Sequence, residues 1–304
     1  MENFNLIIIL GATASGKTRL AVQIAHALNG EIISADSRQV FRRMDIGTGK
    51  DLQEYVVDGK PVEHHLINIL EPGERYHVDA FKNDFYDAFA DISTRGKLPI
   101  LCGGTGMYIH SLLQNQEYTA IPVNEQLRET LTSHPKERLV EELHRYENVG
   151  HVDLNSKKRL IRAIEIAEYL VHHSIKKIER PLLNPIIFGL KSEVEITRAR
   201  ILSRLDERLT LGMIEEVRQL INSGINKEIL TFYGLEYKFI VSYLEGEFTY
   251  EDFKTKLGTA ICQYAKRQNT FFRKMEKDKV YINWLDSSIR TNLLKQLVFD
   301  KVLK

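Results

Sequence analysis

Gly11-Ala12-Thr13-Ala14-Ser15-Gly16-Lys17-Thr18 follows the apolar run Leu6-Ile7-Ile8-Ile9-Leu10 and opens a helical pattern from Thr18 to Leu28. It satisfies G-x-x-x-x-G-K-[ST] at every fixed position, with the strand before and the helix after that this motif requires. The chemistry accounts for the residue types. Glycines let successive N–H groups turn toward an oxyanion, and the helix N-terminus adds the positive end of its dipole. Lys17 supplies a mobile point charge, and the Thr18 hydroxyl is a natural magnesium ligand. The plain alternative is a strand-to-helix turn with no ligand; the full spacing in context favours a bound phosphate.

Outward from this loop, short apolar strands alternate with helical patterns. Asn5–Leu10, Glu31–Ala35, His65–Ile69 and Leu98–Cys102 read as strands, and Pro185–Leu190 as one more of the same sheet. Val78–Thr94 reads as a helix, with Phe81, Phe85, Ala88, Phe89 and Ile92 on one face. Such alternation predicts a parallel sheet covered by helices, with ligands at the carboxyl ends of the strands. Between these parts, Glu125–Leu131, Lys136–Tyr146 and Ser156–His172 carry apolar residues at helical spacing. After Leu190 the pattern is helical, in Val194–Glu207, Met213–Ser223 and Tyr250 to about Met275, until a late strand, Val280–Trp284.

Composition bounds the function classes. A chain of 304 residues, 43% hydrophobic and 27% charged, has material for a large core and reads as soluble and globular. No apolar run approaches membrane-spanning length, and the start lacks a secretory pattern. Two cysteines, Cys102 and Cys262, make no disulfide framework, so a reducing, cytoplasmic setting is expected. The net charge is only +1, but cations gather locally. One run holds Lys157, Lys158, Arg159, Arg162, Lys176, Lys177 and Arg180; another spans Lys254 to Lys279. On charge alone, solvated helix faces explain both.

Other candidates sit at strand ends. The second strand leads into Asp36-Ser37-Arg38-Gln39. An acid there can be a magnesium ligand, a general base or merely a cap for the next turn. The fourth strand runs into Gly103-Gly104-Thr105, where the hydroxyl either caps a helix or faces a substrate. His64 and His65 have no further ligand at metal spacing and read as structural or ligand-contacting.

These stretches together carry a resemblance. GATASGKT, ISADSRQVFRRMDIGTGK, EHHL and PILCGGTGMY, then LNSKKRLIRAIEI, GMIEEVRQL, SYLEGE and QYAKRQNTFFR, resemble the tRNA dimethylallyltransferase family in order, from Leu6 to Arg273. The resemblance implies transfer of a dimethylallyl group from its pyrophosphate to N6 of the adenosine next to the anticodon. The loop Gly11–Thr18 would then hold pyrophosphate rather than ATP. Asp36 matches the family's base, and Thr105 and Arg218 match positions at the reacting centre beside Lys17. From its surroundings alone, Arg218 reads as a helix-surface arginine. By the same resemblance Ser37, Arg38, Gln39, Arg128, Lys158, Arg159, Leu160, Ile161, Arg162, Tyr237 and Lys238 match tRNA-contacting positions, and Lys266, Arg267 and Arg273 are candidates to face pyrophosphate or tRNA. The implied fold is α/β, a P-loop NTPase-like parallel sheet core (1–115 and 185–304) with an all-helical insertion (116–184) gripping the anticodon arm. The implied cofactor is magnesium, Thr18 its ligand, and the expected state a monomer of bacterial type, with no zinc-finger-like extension.

Four departures from the family pattern stand out. Ala12 replaces proline, Asn68 an acid, Glu236 the glycine of G-Y-K, and Cys262 an arginine. None removes Lys17, Thr18, Asp36, Thr105 or Arg218, so the chemistry is expected intact and fine tRNA preference altered. Close alternatives are a small-molecule kinase, an isopentenyltransferase acting on free adenylate, and a silent RNA-binding relative.

Overall fold

The structure, a computed structural model, describes residues 4–114, 117–146, 152–175 and 178–302. Lys176, Lys177 and the expected insertion start at Gln116 lie outside the described residues. The chain divides into two compact units, one of Met1–Gln114 with Pro181–Lys304 and one of Asn115–Arg180.

The first unit is built on β1 (Leu6–Gly11), which is buried at every position. Five consecutive large apolar side chains can be buried on both faces only in the middle of a parallel sheet. β1 indeed lies between β6 (Leu98–Gly103) and β7 (Pro185–Lys191), parallel to both. Outside β6 come β2 (Gly30–Ser34) and then β5 (His64–His65); outside β7 comes β8 (Asn283–Asp286), all parallel. A separate hairpin pairs β3 (Val56–Val57) with β4 (Lys60–Pro61).

Helices cover both faces. α1 (Lys17–Ala27) and the C-terminal α12 (Thr291–Val302) bury Leu20, Ile24, Leu294 and Val298 against Ile7 and Ile9. On the other face α2 (Val78–Thr94), α3 (Gly106–Leu113) and α11 (Tyr250–Lys277) bury Phe81, Phe85, Ile109 and Phe272 against Leu6 and Ile8. A third apolar cluster lies beyond the strand ends. It joins Ala12, Val40, Phe41 and Met44 to α7 (Val194–Thr210), α8 (Met213–Asn222), α9 (Lys227–Tyr233), α10 (Leu235–Leu244) and α11. The second unit holds α4 (Glu125–Ser133), α5 (Lys136–Leu143) and α6 (Lys157–His172) around Leu131, Leu139, Leu143, Leu160 and Ile164.

Two expected strands are displaced. Of His65–Ile69, only His65 joins the sheet. Leu66 and Asn68 adopt positive φ (62° and 57°), so the chain leaves the ladder. Its next N–H groups bond to the carbonyls of Gln39 and Val40 instead. The late strand is Asn283–Asp286 rather than Val280–Trp284, because Lys279, at φ 67°, closes α11 and the chain then crosses to reach β7. Neither α12 nor the break between α9 and α10 is marked by the sequence pattern.

One polar cluster is tied to the far end of the sheet. Glu31, 1% exposed at the start of β2, accepts from Arg95 and Lys97 and meets His65 at 2.8 Å. The Arg95 guanidinium, chiefly, holds its carboxyl well below the usual carboxylate range. A depressed folded-state value means stability that is present at neutral pH and lost as pH falls below the ordinary range of glutamate. Replacing Glu31→Ala removes the shared buried acceptor of Arg95 and Lys97, although Arg95 keeps Asp91, and is expected to cost about 1–3 kcal/mol in urea unfolding at pH 7. The difference from the parent should shrink steadily as the pH is lowered below 4.5, the ordinary glutamate value.

Candidate active site

The loop after β1 is shaped for an anion. Gly16 lies at φ 78° and Ala14 at φ 60°, and the first turn of α1 follows at once. A side chain at Gly11 would meet Ser15 Oγ at 2.6 Å, so the turn closes only around glycine. Among the described residues Ser15 Oγ is buried with no hydrogen-bond partner. Lys17 reaches back to the Ala12 carbonyl at 3.5 Å, and burial pushes its ammonium below the usual lysine range, partly opposed by Asp36. The loop lines an open cavity of about 1060 Å³ with Asp36–Gln39, the glycines Gly47 and Gly49, and faces of α7 and α11.

Asp36 stands at the carboxyl end of β2 with Oδ1 held by the Arg38 N–H at 2.9 Å, its carboxylate in the cavity. Thr105 begins α3, but its hydroxyl makes no cap; it accepts from the Ser37 N–H at 3.2 Å and does not line the cavity. Thr105 thus orients the Asp36–Arg38 turn from behind. Gln268 ties two loops together. Its Oε1 accepts from the Thr13 N–H and its Nε2 donates to the Gly104 carbonyl, both at 2.9 Å. A side chain at Gly104 would collide with that amide at 2.5 Å, which explains the second glycine of the pair.

The segment from Asp45 to Asp51 is held by side chains from α7, α8 and the segment itself. Glu216 accepts from the N–H groups of Asp45, Ile46 and Gly47 at 2.8, 2.7 and 2.9 Å, and from the Tyr237 hydroxyl at 2.8 Å. Arg208 donates to the carbonyls of Ile46 and Gly47, and Arg204 to Gly49 and Asp51. Lys50, 1% exposed, points inward to the Phe41 carbonyl, Asp45 and the Asn68 amide oxygen.

Several expected contacts take another form. Arg218 lies half-exposed on α8, paired with Glu215 and away from the cavity, so the helix-surface reading describes its place. The residue of GMIEEVRQL that contacts the 45–47 segment is Glu216, two positions earlier. Tyr237 is 1% exposed, its hydroxyl spent on Glu216, whereas Lys238 lines the cavity. Leu160 and Ile161 are core residues of the second unit and offer no side chain to RNA. Arg128 grips buried Glu165 through Nε and Nη2, and Arg162 donates to the Tyr118 and Ile121 carbonyls. Arg159, paired with Asp153, and Lys158 remain exposed. Ser37, Arg38, Gln39 and Arg267 line the cavity; Lys266 and Arg273 do not.

The departures also find places. Asn68 gives Lys50 a neutral acceptor, and Glu236 reaches Arg208 at 3.1 Å on the cavity wall. Ala12 and Cys262 pack in the third apolar cluster. Among the described residues, no group of three or more His, Cys, Asp or Glu could hold a metal ion. Nor is any described helix long and apolar enough to cross a membrane.

Comparison with known proteins gives one answer. The sequence profile described as IPP transferase matches residues 39–275, and that described as isopentenyl transferase matches 4–61. A tRNA dimethylallyltransferase 2 of Bacteroides fragilis is 45% identical over 97% of this chain and 98% of its own. Its namesake in Porphyromonas gingivalis is 48% identical over 93% and 94%. The solved tRNA isopentenylpyrophosphate transferase of Bacillus halodurans superposes with a TM-score of 0.72 at 31% identity, covering 98% of this chain and 95% of that one. A eukaryotic dimethylallyltransferase acting on tRNA gives 0.74 at 25% identity, covering 94% and 74%.

Replacing Gln268→Leu keeps the side-chain bulk but leaves the Thr13 N–H unpaired and removes one of the two donors to the Gly104 carbonyl. It should cost about 1–3 kcal/mol in thermal unfolding and weaken inorganic pyrophosphate binding in titration calorimetry.

Proposed function

This chain belongs to the IPP transferase family and prenylates tRNA, and we propose the roles its residues take. The donor is dimethylallyl pyrophosphate, held by Gly11–Thr18, and the acceptor is N6 of the adenosine adjacent to the anticodon. The observation that carries this is the Asp36 carboxylate sharing one cavity with the anion loop. An exocyclic amine is a poor nucleophile, because its lone pair is delocalised into the ring. As N6 forms its bond to the first carbon of the dimethylallyl group, the carbon–oxygen bond breaks and its electron pair leaves on pyrophosphate. Asp36, held by the Arg38 N–H, takes the N6 proton. The N–H groups of the loop and Lys17 meet the charge that builds on the leaving group. Arg204 and Arg208 keep the 46–49 wall in place.

The donor set fits a magnesium ion. The Thr18 side chain lines the cavity at the first turn of α1, next to Lys17. A threonine hydroxyl offers oxygen lone pairs to a hard cation. Pyrophosphate and water would complete the shell, and the ion would supply charge neutralisation. The acceptor base must leave its stack to reach Asp36, so the tRNA loop is read unpaired. Lys158 and Arg159, exposed cations of the second unit, suit phosphates of the anticodon arm. We place the protein in the cytoplasm, as a monomer.

The direct test supplies magnesium, labelled dimethylallyl pyrophosphate and either unmodified tRNA or AMP, with the acceptor nucleoside read by mass spectrometry. Label on tRNA adenosine alone is expected; label on AMP would move the acceptor to the free nucleotide. Asp36→Asn should cut turnover by about 10²–10⁴ while tRNA binding by filter assay holds. Pyrophosphate pairs with the Lys17 ammonium and raises its lowered value. Affinity should therefore fall as pH climbs through the free value, with proton uptake on binding seen calorimetrically in buffers of different ionisation enthalpy.

A further inference from the structure

Two aromatic rings open into the cavity where apolar surface would otherwise be hidden. Phe232 is 69% exposed and Tyr264 38%, and both line the cavity. Each carries an arginine. The Arg38 guanidinium lies 5.6 Å from the Phe232 ring centroid, and that of Arg267 lies 5.8 Å from the Tyr264 ring. Neither ring hangs from a loose segment. Tyr233, next to Phe232, is buried against Phe41 at 4.3 Å, and its hydroxyl accepts from the Gly73 N–H at 2.6 Å and donates to the Glu74 carbonyl at 2.8 Å. Tyr264 projects from α11 between Ile261 and Gln268, which also line the cavity.

The ligand class follows from this chemistry. A large exposed ring backed by a guanidinium offers a flat apolar face beside a positive charge. An unpaired nucleobase with its phosphate matches that pair, and base–aromatic stacking accepts any base. The dimethylallyl chain matches it poorly, since a five-carbon apolar group gains most in an enclosed pocket and two-thirds of Phe232 faces open space. Arg38 also links the platform to the chemistry, because its N–H fixes Asp36 while its guanidinium lies by Phe232.

Resting on the tRNA reading above, we infer that Phe232, backed by Arg38, is a stacking platform for an unpaired base flanking the acceptor adenosine. Stacking there holds the loop open while the neighbouring adenosine enters toward Asp36. Phe232 is thus a positioning residue for the acceptor, with the Tyr264–Arg267 pair repeating the arrangement on α11.

The test uses anticodon stem-loops with one abasic nucleotide at each loop position in turn, the protein being wild type, F232A, F232L or F232W. F232A should raise the KM for intact stem-loop about tenfold, with kcat and the donor KM within about twofold. F232W should restore the wild-type value, and F232L, apolar but without a π face, should behave like F232A. One abasic position should raise the wild-type KM by the same factor yet add nothing in F232A, the non-additivity of a shared contact. A wild-type KM in F232A or F232L, or additive losses at every abasic position, would overturn the platform. Failure of the wild type to label any intact stem-loop would instead remove the acceptor reading, and the inference with it.

Discussion

The cavity depends on one carboxylate. Glu216 accepts three successive main-chain N–H groups, from Asp45 to Gly47, and the Tyr237 hydroxyl besides. That segment pairs with no strand, and the partly buried N–H groups of Ile46 and Gly47 left unmet would each cost on the order of 1 kcal/mol. Arg208 answers from α7 by taking the carbonyls of Ile46 and Gly47, so donors and acceptors of one loop are met by opposite charges. Gly47 must be a glycine here, because a Cβ would lie 2.4 Å from the Tyr237 hydroxyl. With that wall fixed, Asp36 and the anion loop face a defined space.

The anion loop and the sheet are legible in the sequence because their signals are local. β1 is an unbroken apolar run, and the glycine and lysine spacing next to it is set by backbone geometry. Eight helices, among them α1, α2, α6, α7 and α11, follow their apolar periodicity to within a few residues, whereas α12 does not stand out in the pattern. Long-range polar contacts are not legible. Nothing in Asp45-Ile46-Gly47 marks that loop as a partner of α8, so the motif on α8 points to Arg218 although its contact is Glu216. Tyr237 reads as a polar contact for RNA and is a core residue with a tethered hydroxyl. Gln268 gives no signal in sequence, since its two bonds reach across most of the chain, to Thr13 and Gly104.

The basic insertion teaches a related lesson about counting charges. Arg128 and Arg162 converge on Glu165, whose side chain is fully buried, and on carbonyls of the chain leading into α4. They hold the second unit together, and a cation committed to an internal partner has less to give a phosphate. Charge density in sequence therefore overstates what the surface presents. Lys158 and Arg159 sit side by side and exposed in the first turn of α6, Arg159 paired there with the partly exposed Asp153.

Cys102 has a bearing on oxidative chemistry. Its thiol is buried near the carboxyl end of β6, and burial raises it to about 12. At neutral pH the thiol form then predominates, and peroxide or electrophiles act on thiolate. Cys102 is thus a sulfur that resists sulfenic acid formation, and a chemist seeking a covalent handle will find the half-buried Cys262 the more approachable of the two.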